Sequence, residues 1–143
     1  MTLTPITPTF AVASQPAPDA IAALAETGTV LLINNRPDGE EPGQPGDAAE
    51  AQAAAGAGLA YRHLPVTGDA LNREDVARFR QALREADGPV VAHCRSGTRS
   101  LTLWVIGEVL EGHLAAGDVT DVGARHGFDL SGAVRWLRAN GEA

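Results

Sequence analysis

Four short apolar runs punctuate the chain, at residues 10–13, 30–34, 61–66 and 89–94. The second and fourth contain unbroken blocks, Val30-Leu31-Leu32-Ile33 and Val90-Val91-Ala92. Strands covered on both faces read this way. Helical stretches separate the runs, so strand and helix alternate. That order predicts a single α/β domain over residues 1–143, with a mostly parallel four-stranded sheet, right-handed crossovers and flanking helices.

The helices carry start and stop signals. Asp19 is placed to cap a short helix through Ile21 and Leu24, with Gly28 closing it. Asn72 and Asp75 form a capping-box pattern, with Leu71 and Val76 as its hydrophobic staple. Val76, Phe79 and Leu83 then share one stripe, and Gly88 stops the helix. Leu101, Trp104, Val105 and Val109 predict a deeply buried helix after residue 98. Residues 48–60 are alanine-rich and look helical as far as Gly56 and Gly58. Leu130, Val134 and Leu137 repeat at helical spacing beside Trp136, and both tryptophans read as core anchors.

Candidate chemistry concentrates where the fourth run meets the buried helix. His93-Cys94-Arg95-Ser96-Gly97-Thr98-Arg99-Ser100 holds the only cysteine. A strand feeding a helix through a small-residue loop points several N–H groups into one concavity, above the positive end of the helix dipole. That dipole, with Arg95 and Arg99, favours thiolate over thiol at Cys94. The amides and charge of Arg95, Ser96, Gly97, Thr98 and Ser100 would bind the substrate. Neighbouring strand residues face opposite sides, so His93 should point away from the cradle and fix the loop by hydrogen bonding.

Loop length separates two chemistries. Cys94 to Arg99 is Cys-x4-Arg, whereas cysteine-dependent phosphatases use Cys-x5-Arg and would need arginine where Ser100 stands. A phosphoryl group needs donors around three equatorial oxygens, hence a wide ring of amides. A terminal persulfide sulfur is one atom and fits a narrower ring. The spacing favours sulfur transfer.

Composition narrows the partners. An apolar share of 44% in 143 residues supports a core without disulfides or metals. One cysteine excludes an internal disulfide, which suits a reducing compartment. The N-terminal pattern is not that of a leader and no long apolar span occurs, so the expected location is the cytoplasm, with no membrane partner. A net charge of -7 argues against nucleic acid and makes the arginines around Cys94 a local trap for a small anion. His63, His93, His113 and His126 are dispersed without metal-ligand spacing, so neither metal nor other cofactor is expected. Self-association is left open.

The polar segment Asn34-Asn35-Arg36-Pro37-Asp38-Gly39-Glu40-Glu41-Pro42-Gly43-Gln44-Pro45-Gly46 follows a buried strand. Loops at strand C-termini line the crevice of parallel α/β proteins, so it should share a face with Cys94. It reads either as a solvated loop or as part of the site. In the second case Arg36 would add charge at the rim, and Glu40 or Glu41 would restrain an arginine.

Phe10-Ala11-Val12-Ala13-Ser14-Gln15-Pro16, Asn35-Arg36-Pro37-Asp38-Gly39-Glu40, Tyr61-Arg62-His63-Leu64-Pro65-Val66 and Cys94-Arg95-Ser96-Gly97-Thr98-Arg99 together carry a family resemblance. Over residues 5–110 the chain resembles the bacterial beta-lactamase-hydrolase-like family (DUF442), a phosphatase fold with a rhodanese-like loop. The resemblance implies a dual-specificity-phosphatase-like fold. It also implies a role in sulfide and persulfide metabolism, since relatives are fused to persulfide-dioxygenase-type metal hydrolases. By it Cys94 would form the persulfide, Arg99 would bind the anionic donor and Arg95 would stand at the mouth. Phosphatases of this fold also take a general acid from another loop, for which Asp69 is the candidate position.

The leading expectation is sulfane-sulfur transfer from thiosulfate or a small persulfide, through Cys94, to a thiol or cyanide. A tyrosine or dual-specificity phosphatase using the same loop is the alternative. A noncatalytic persulfide or anion sensor is the third.

Overall fold

The computed structural model describes residues 1–143. Five strands form one sheet: β1 Leu3–Thr7, β2 Phe10–Ala13, β3 Leu31–Asn34, β4 Ala60–His63 and β5 Val90–His93. Six helices surround it: α1 Pro18–Glu26, α2 Asp47–Gly56, α3 Arg73–Glu85, α4 Thr98–Leu110, α5 Val119–His126 and α6 Ser131–Ala139. The spatial order is β1-β2-β5-β3-β4. The four expected strands run parallel, and β5 lies between β2 and β3. All residues of β3 and β5 are buried, as their unbroken apolar blocks predicted.

The fifth strand corrects the expected four. β1 pairs antiparallel with β2. Pro5 and Pro8 mask it in the sequence, but a proline is tolerated on an edge strand because that side needs no ladder donor. The third apolar run leaves the sheet early. Beyond His63 its backbone bonds instead to the end of β3, Leu64 N–H to the Asn34 carbonyl and Val66 N–H to that of Asn35.

Helices cover both faces. Val12, Ile33 and Ala92 join a core of 20 buried residues with α3, α4, α5 and α6. Ala13, Leu32 and Val91 pack with α1 and α2 in a smaller cluster. Phe79 is wholly buried in the larger core, which contributes roughly 1.5–3 kcal/mol. Phe10 meets it edge-on at 6.0 Å and stacks on Trp104 at 5.8 Å. The Asn72–Asp75 capping box forms as expected. Asp19 is not a cap: Ala17 holds that position, Pro18 opens α1, and Asp19 sits in the first turn without a capping bond. No helix is long and apolar enough to cross a membrane.

Parallel register sets the site. Ala13, His93, Asn34 and His63 share the last rung of the sheet. Residues on one rung face the same side, here that of α1 and α2. The next residue after His93 therefore turns toward α4, and that residue is Cys94.

Candidate active site

Cys94 leaves the sheet and the chain reaches α4 in three residues. Gly97 makes this possible with φ of +100°, a region that side chains avoid. A Cβ there would also lie 3.2 Å from the Phe128 ring. The Gly97 N–H points at Cys94 Sγ, 3.1 Å away. The N–H groups of Arg95, Ser96, Thr98, Arg99 and Ser100 find no acceptor within the protein, and the first α4 bond runs from Leu101 to Gly97. Five free donors at a helix start are an arrangement that can bind an anion.

The Cys94 residue is 1% exposed, yet it belongs to neither apolar cluster. The Gly97 N–H and the charge of Arg99 both reach its sulfur. Arg99 is held firmly charged, first by hydrogen bonding to Glu40, against the cost of burial, and further by Cys94. Arg95 is well exposed.

The 35–46 segment grips this loop. Arg36 is 3% exposed, so it is not the rim residue that its sequence position suggested. Instead it is an internal hub. Its Nε donates to Glu40 at 3.0 Å, Nη2 to Glu41 at 2.8 Å and Nη1 to Gln15 at 3.0 Å. Glu40 then binds Arg99 through both oxygens, at 2.7 and 2.8 Å. Glu41 lies 2.6 Å from Arg95 Nε. Each carboxylate thus joins the buried arginine to one arginine of the cysteine loop. The Arg99 hydrogen bonds, with Arg36 helping against desolvation, bring the Glu40 carboxyl down to about 2. The segment is part of the site.

Beneath the loop lies a second polar cluster, in which His93, Glu50 and Asn34 are buried. His93 Nδ1 is 3.1 Å from the Cys94 carbonyl, which can only accept, so this nitrogen carries the hydrogen. His93 Nε2 lies 2.5 Å from Glu50 Oε1 on α2. Glu50 Oε2 receives Gln15 Nε2 at 2.9 Å and Asn34 Nδ2 at 3.4 Å. His93 therefore faces away from the sulfur and fixes the loop through the cysteine carbonyl, as expected. Glu50 is the residue that sequence reasoning missed. Its signal is being the one charged residue within the alanine-rich 48–56 stretch, four positions before buried Ala54.

Ser100 and Asp69 differ from expectation in their surroundings. The Ser100 hydroxyl is wholly buried and donates to Asn35 Oδ1 at 2.8 Å, so only its backbone N–H is left free at the loop. Asn35 in turn donates to the Leu64 carbonyl at 2.9 Å. Asp69 is exposed in a turn at residues 68–70, where it makes no hydrogen bond. Its neighbour Gly68 lines a cavity together with Thr98 and Arg99, which puts this turn beside the reactive loop.

Known proteins share the family and the fold. Residues 2–111 match the family described as beta-lactamase hydrolase-like protein, phosphatase-like domain. The beta-lactamase hydrolase-like protein of Agrobacterium fabrum is 47% identical over 92% of this chain and 31% of its own length. That of Xylella fastidiosa strain Temecula1 is 43% identical over 96% of this chain and 32% of its own. The chain thus spans about a third of these relatives. Among solved structures, nma1982 from Neisseria meningitidis Z2491, presented as a candidate phosphatase, superposes with a TM-score of 0.86 at 30% identity, covering 97% of this chain and 98% of that one. The fold of PTPMT1 is also shared, with a TM-score of 0.73 at 14% identity over 96% and 95% of the two chains. A cysteine-based loop on a phosphatase-like α/β fold, matched over most of its length, places the chain in the phosphatase-like domain family of beta-lactamase hydrolase-like proteins.

Proposed function

We propose that the chain is a sulfurtransferase in which Cys94 carries sulfane sulfur. The observation behind this reading is the short loop. Arg99 already occupies the first turn of α4, and the next position is a buried serine committed to Asn35. The sequence has serine, not arginine, at the position where a Cys-x5-Arg phosphate cradle carries its arginine.

The chemistry balances without a cofactor. Cys94 thiolate attacks the outer sulfur of a persulfide, R–S–S–H. The Cys94 Sγ–S bond forms, the donor S–S bond breaks, and its electron pair leaves on R–S⁻. With thiosulfate the leaving group is sulfite. A second thiolate, or cyanide, then attacks the outer sulfur of the Cys94 persulfide and restores the Cys94 thiolate. The Gly97 amide and the five free amides around it stabilise the negative sulfur at each stage. Arg99 places positive charge beside the sulfur while Glu40 and Arg36 keep its guanidinium in place.

Mass spectrometry after treatment with thiosulfate or cysteine persulfide tests this. One sulfur atom should be gained on Cys94 and be absent from Cys94→Ser. If neither donor gives an adduct, the reading fails.

The same loop hydrolysing a phosphate ester is the second reading. It is supported by the five free amides, which suit an oxyanion, and by the Asp69 turn at the edge of the site. Cys94-dependent turnover of an aryl phosphate, without sulfur uptake, would establish it instead.

A further inference from the structure

The cysteine loop has a neighbouring cavity of about 240 Å³, between the first turns of α4 and α6 and the segment entering α3. Thr98 and Arg99 belong to both cavity and loop, so a ligand seated there touches the reactive site. The buried part of the lining is apolar, from Leu71 and Ile106. The exposed part bears two charges of opposite sign, Asp129 and Arg135.

These charges are unusual within the site because they are unspent. Arg95 and Arg99 are each paired with a glutamate. Arg135 forms no hydrogen bond or ion pair, and Asp129 accepts only from Ser131, at 2.9 Å. Asp129 and Arg135 do not bridge each other. A dianion would gain from Arg135 but be repelled by Asp129, and a cation would meet the reverse. A ligand bearing both signs uses both.

We propose that this cavity holds the non-reacting part of the sulfur donor, and that this part is an α-amino acid zwitterion. Its carboxylate faces Arg135, its ammonium faces Asp129, and a short apolar arm runs past Thr98 to present the outer sulfur to Cys94. The persulfide of an amino thiol such as cysteine has this form. The proposal rests on the sulfur-transfer reading, and it separates an amino-acid persulfide from thiosulfate as donor.

Two measurements test it. With Cys94→Ser protein, the unreactive analogue S-methylcysteine should shift the NMR signals of Thr98, Thr102 and the Trp136 indole. Arg135→Gln or Asp129→Asn should weaken that binding about tenfold, the effect of one charge-assisted hydrogen bond. Asparagine retains an acceptor for Ser131, and Arg135 is exposed, so both variants should keep the fold. In the intact enzyme, Arg135→Gln should lower kcat/KM for cysteine persulfide about tenfold and leave thiosulfate unchanged. Absent binding, or equal losses for both donors, overturns the proposal. Binding that depends on both charges, in a protein that accepts sulfur from neither donor, upholds the zwitterion site and overturns the transfer reading instead.

Discussion

Glu50 and His93 meet at 2.5 Å beneath the reactive loop, both almost wholly removed from solvent. Since His93 Nδ1 must donate to the Cys94 carbonyl, a single hydrogen lies between Nε2 and Oε1. The pair ties α2 to the end of β5 and sets the direction of the Cys94 peptide, from which the cradle amides follow. Breaking such a pair leaves a buried polar group without its partner.

Glu50→Ala should therefore destabilise the fold by about 3–5 kcal/mol, measured by urea unfolding. Glu50→Gln can donate to Nε2 and preserve the Nδ1 bond, so it should cost less. Its informative readout is Cys94 alkylation by iodoacetamide across pH. A displaced rate profile in folded Glu50→Gln would make Glu50 a positioning residue for the thiol. A profile matching the parent enzyme would reduce it to a structural tie.

The local part of this site was readable, and the long-range part was not. Cys94, Gly97 and Arg99 lie within six residues, and their spacing alone specifies strand end, tight turn and helix start. The partners that hold them come from elsewhere: Glu50 is 43 residues from His93, and Asn35 is 65 from Ser100. Arg36 was visible as a charge, but its burial depends on Gln15, Glu40 and Glu41 converging on it. Hydrophobic periodicity likewise located the parallel core, whereas β1 was hidden by prolines that only an edge strand accepts.

Glu40 gives the site a defined acid response. Its carboxyl is lowered from 4.5 to about 2, first by the Arg99 hydrogen bonds. A depressed carboxyl stabilises the folded state above its unfolded pKa and loses that contribution as pH falls through the folded one. The stability difference between the parent protein and Glu40→Gln should be fully present at neutral pH. It should shrink between about pH 4.5 and 2. Parallel urea titrations measure it, and a difference that persists undiminished at pH 2 contradicts the assignment.

Gly97→Ala tests the turn. A side chain at φ of +100° costs about 1–2 kcal/mol, and the new methyl would press on Phe128. The turn should relax by moving its N–H away from Cys94 Sγ. Lower thermal stability together with slower Cys94 alkylation is the expected result, whereas lower stability with unchanged alkylation would mean that the Gly97 amide does not act on the sulfur.

Ser100→Ala separates structure from chemistry. It deprives Asn35 Oδ1 of its donor inside the core, which should cost about 1–3 kcal/mol. Because the hydroxyl points at Asn35, the rate of sulfur loading on Cys94 should stay at the parent value where the protein is folded. A large fall in that rate would show that the hydroxyl turns toward the sulfur during reaction.

Loop length itself can be altered. One glycine inserted between Gly97 and Thr98 makes the spacing Cys-x5-Arg and adds one amide to the ring, while Arg99 stays at the same place in α4 against Glu40. A wider ring surrounds three equatorial oxygens better and holds a single sulfur less closely. The insertion should therefore depress sulfur uptake by Cys94 relative to aryl phosphate hydrolysis, both followed on one preparation. If the ratio of the two activities does not move, loop width is not what separates them, and the selectivity must lie in the charges of Arg36, Glu40 and Glu41 behind Arg99.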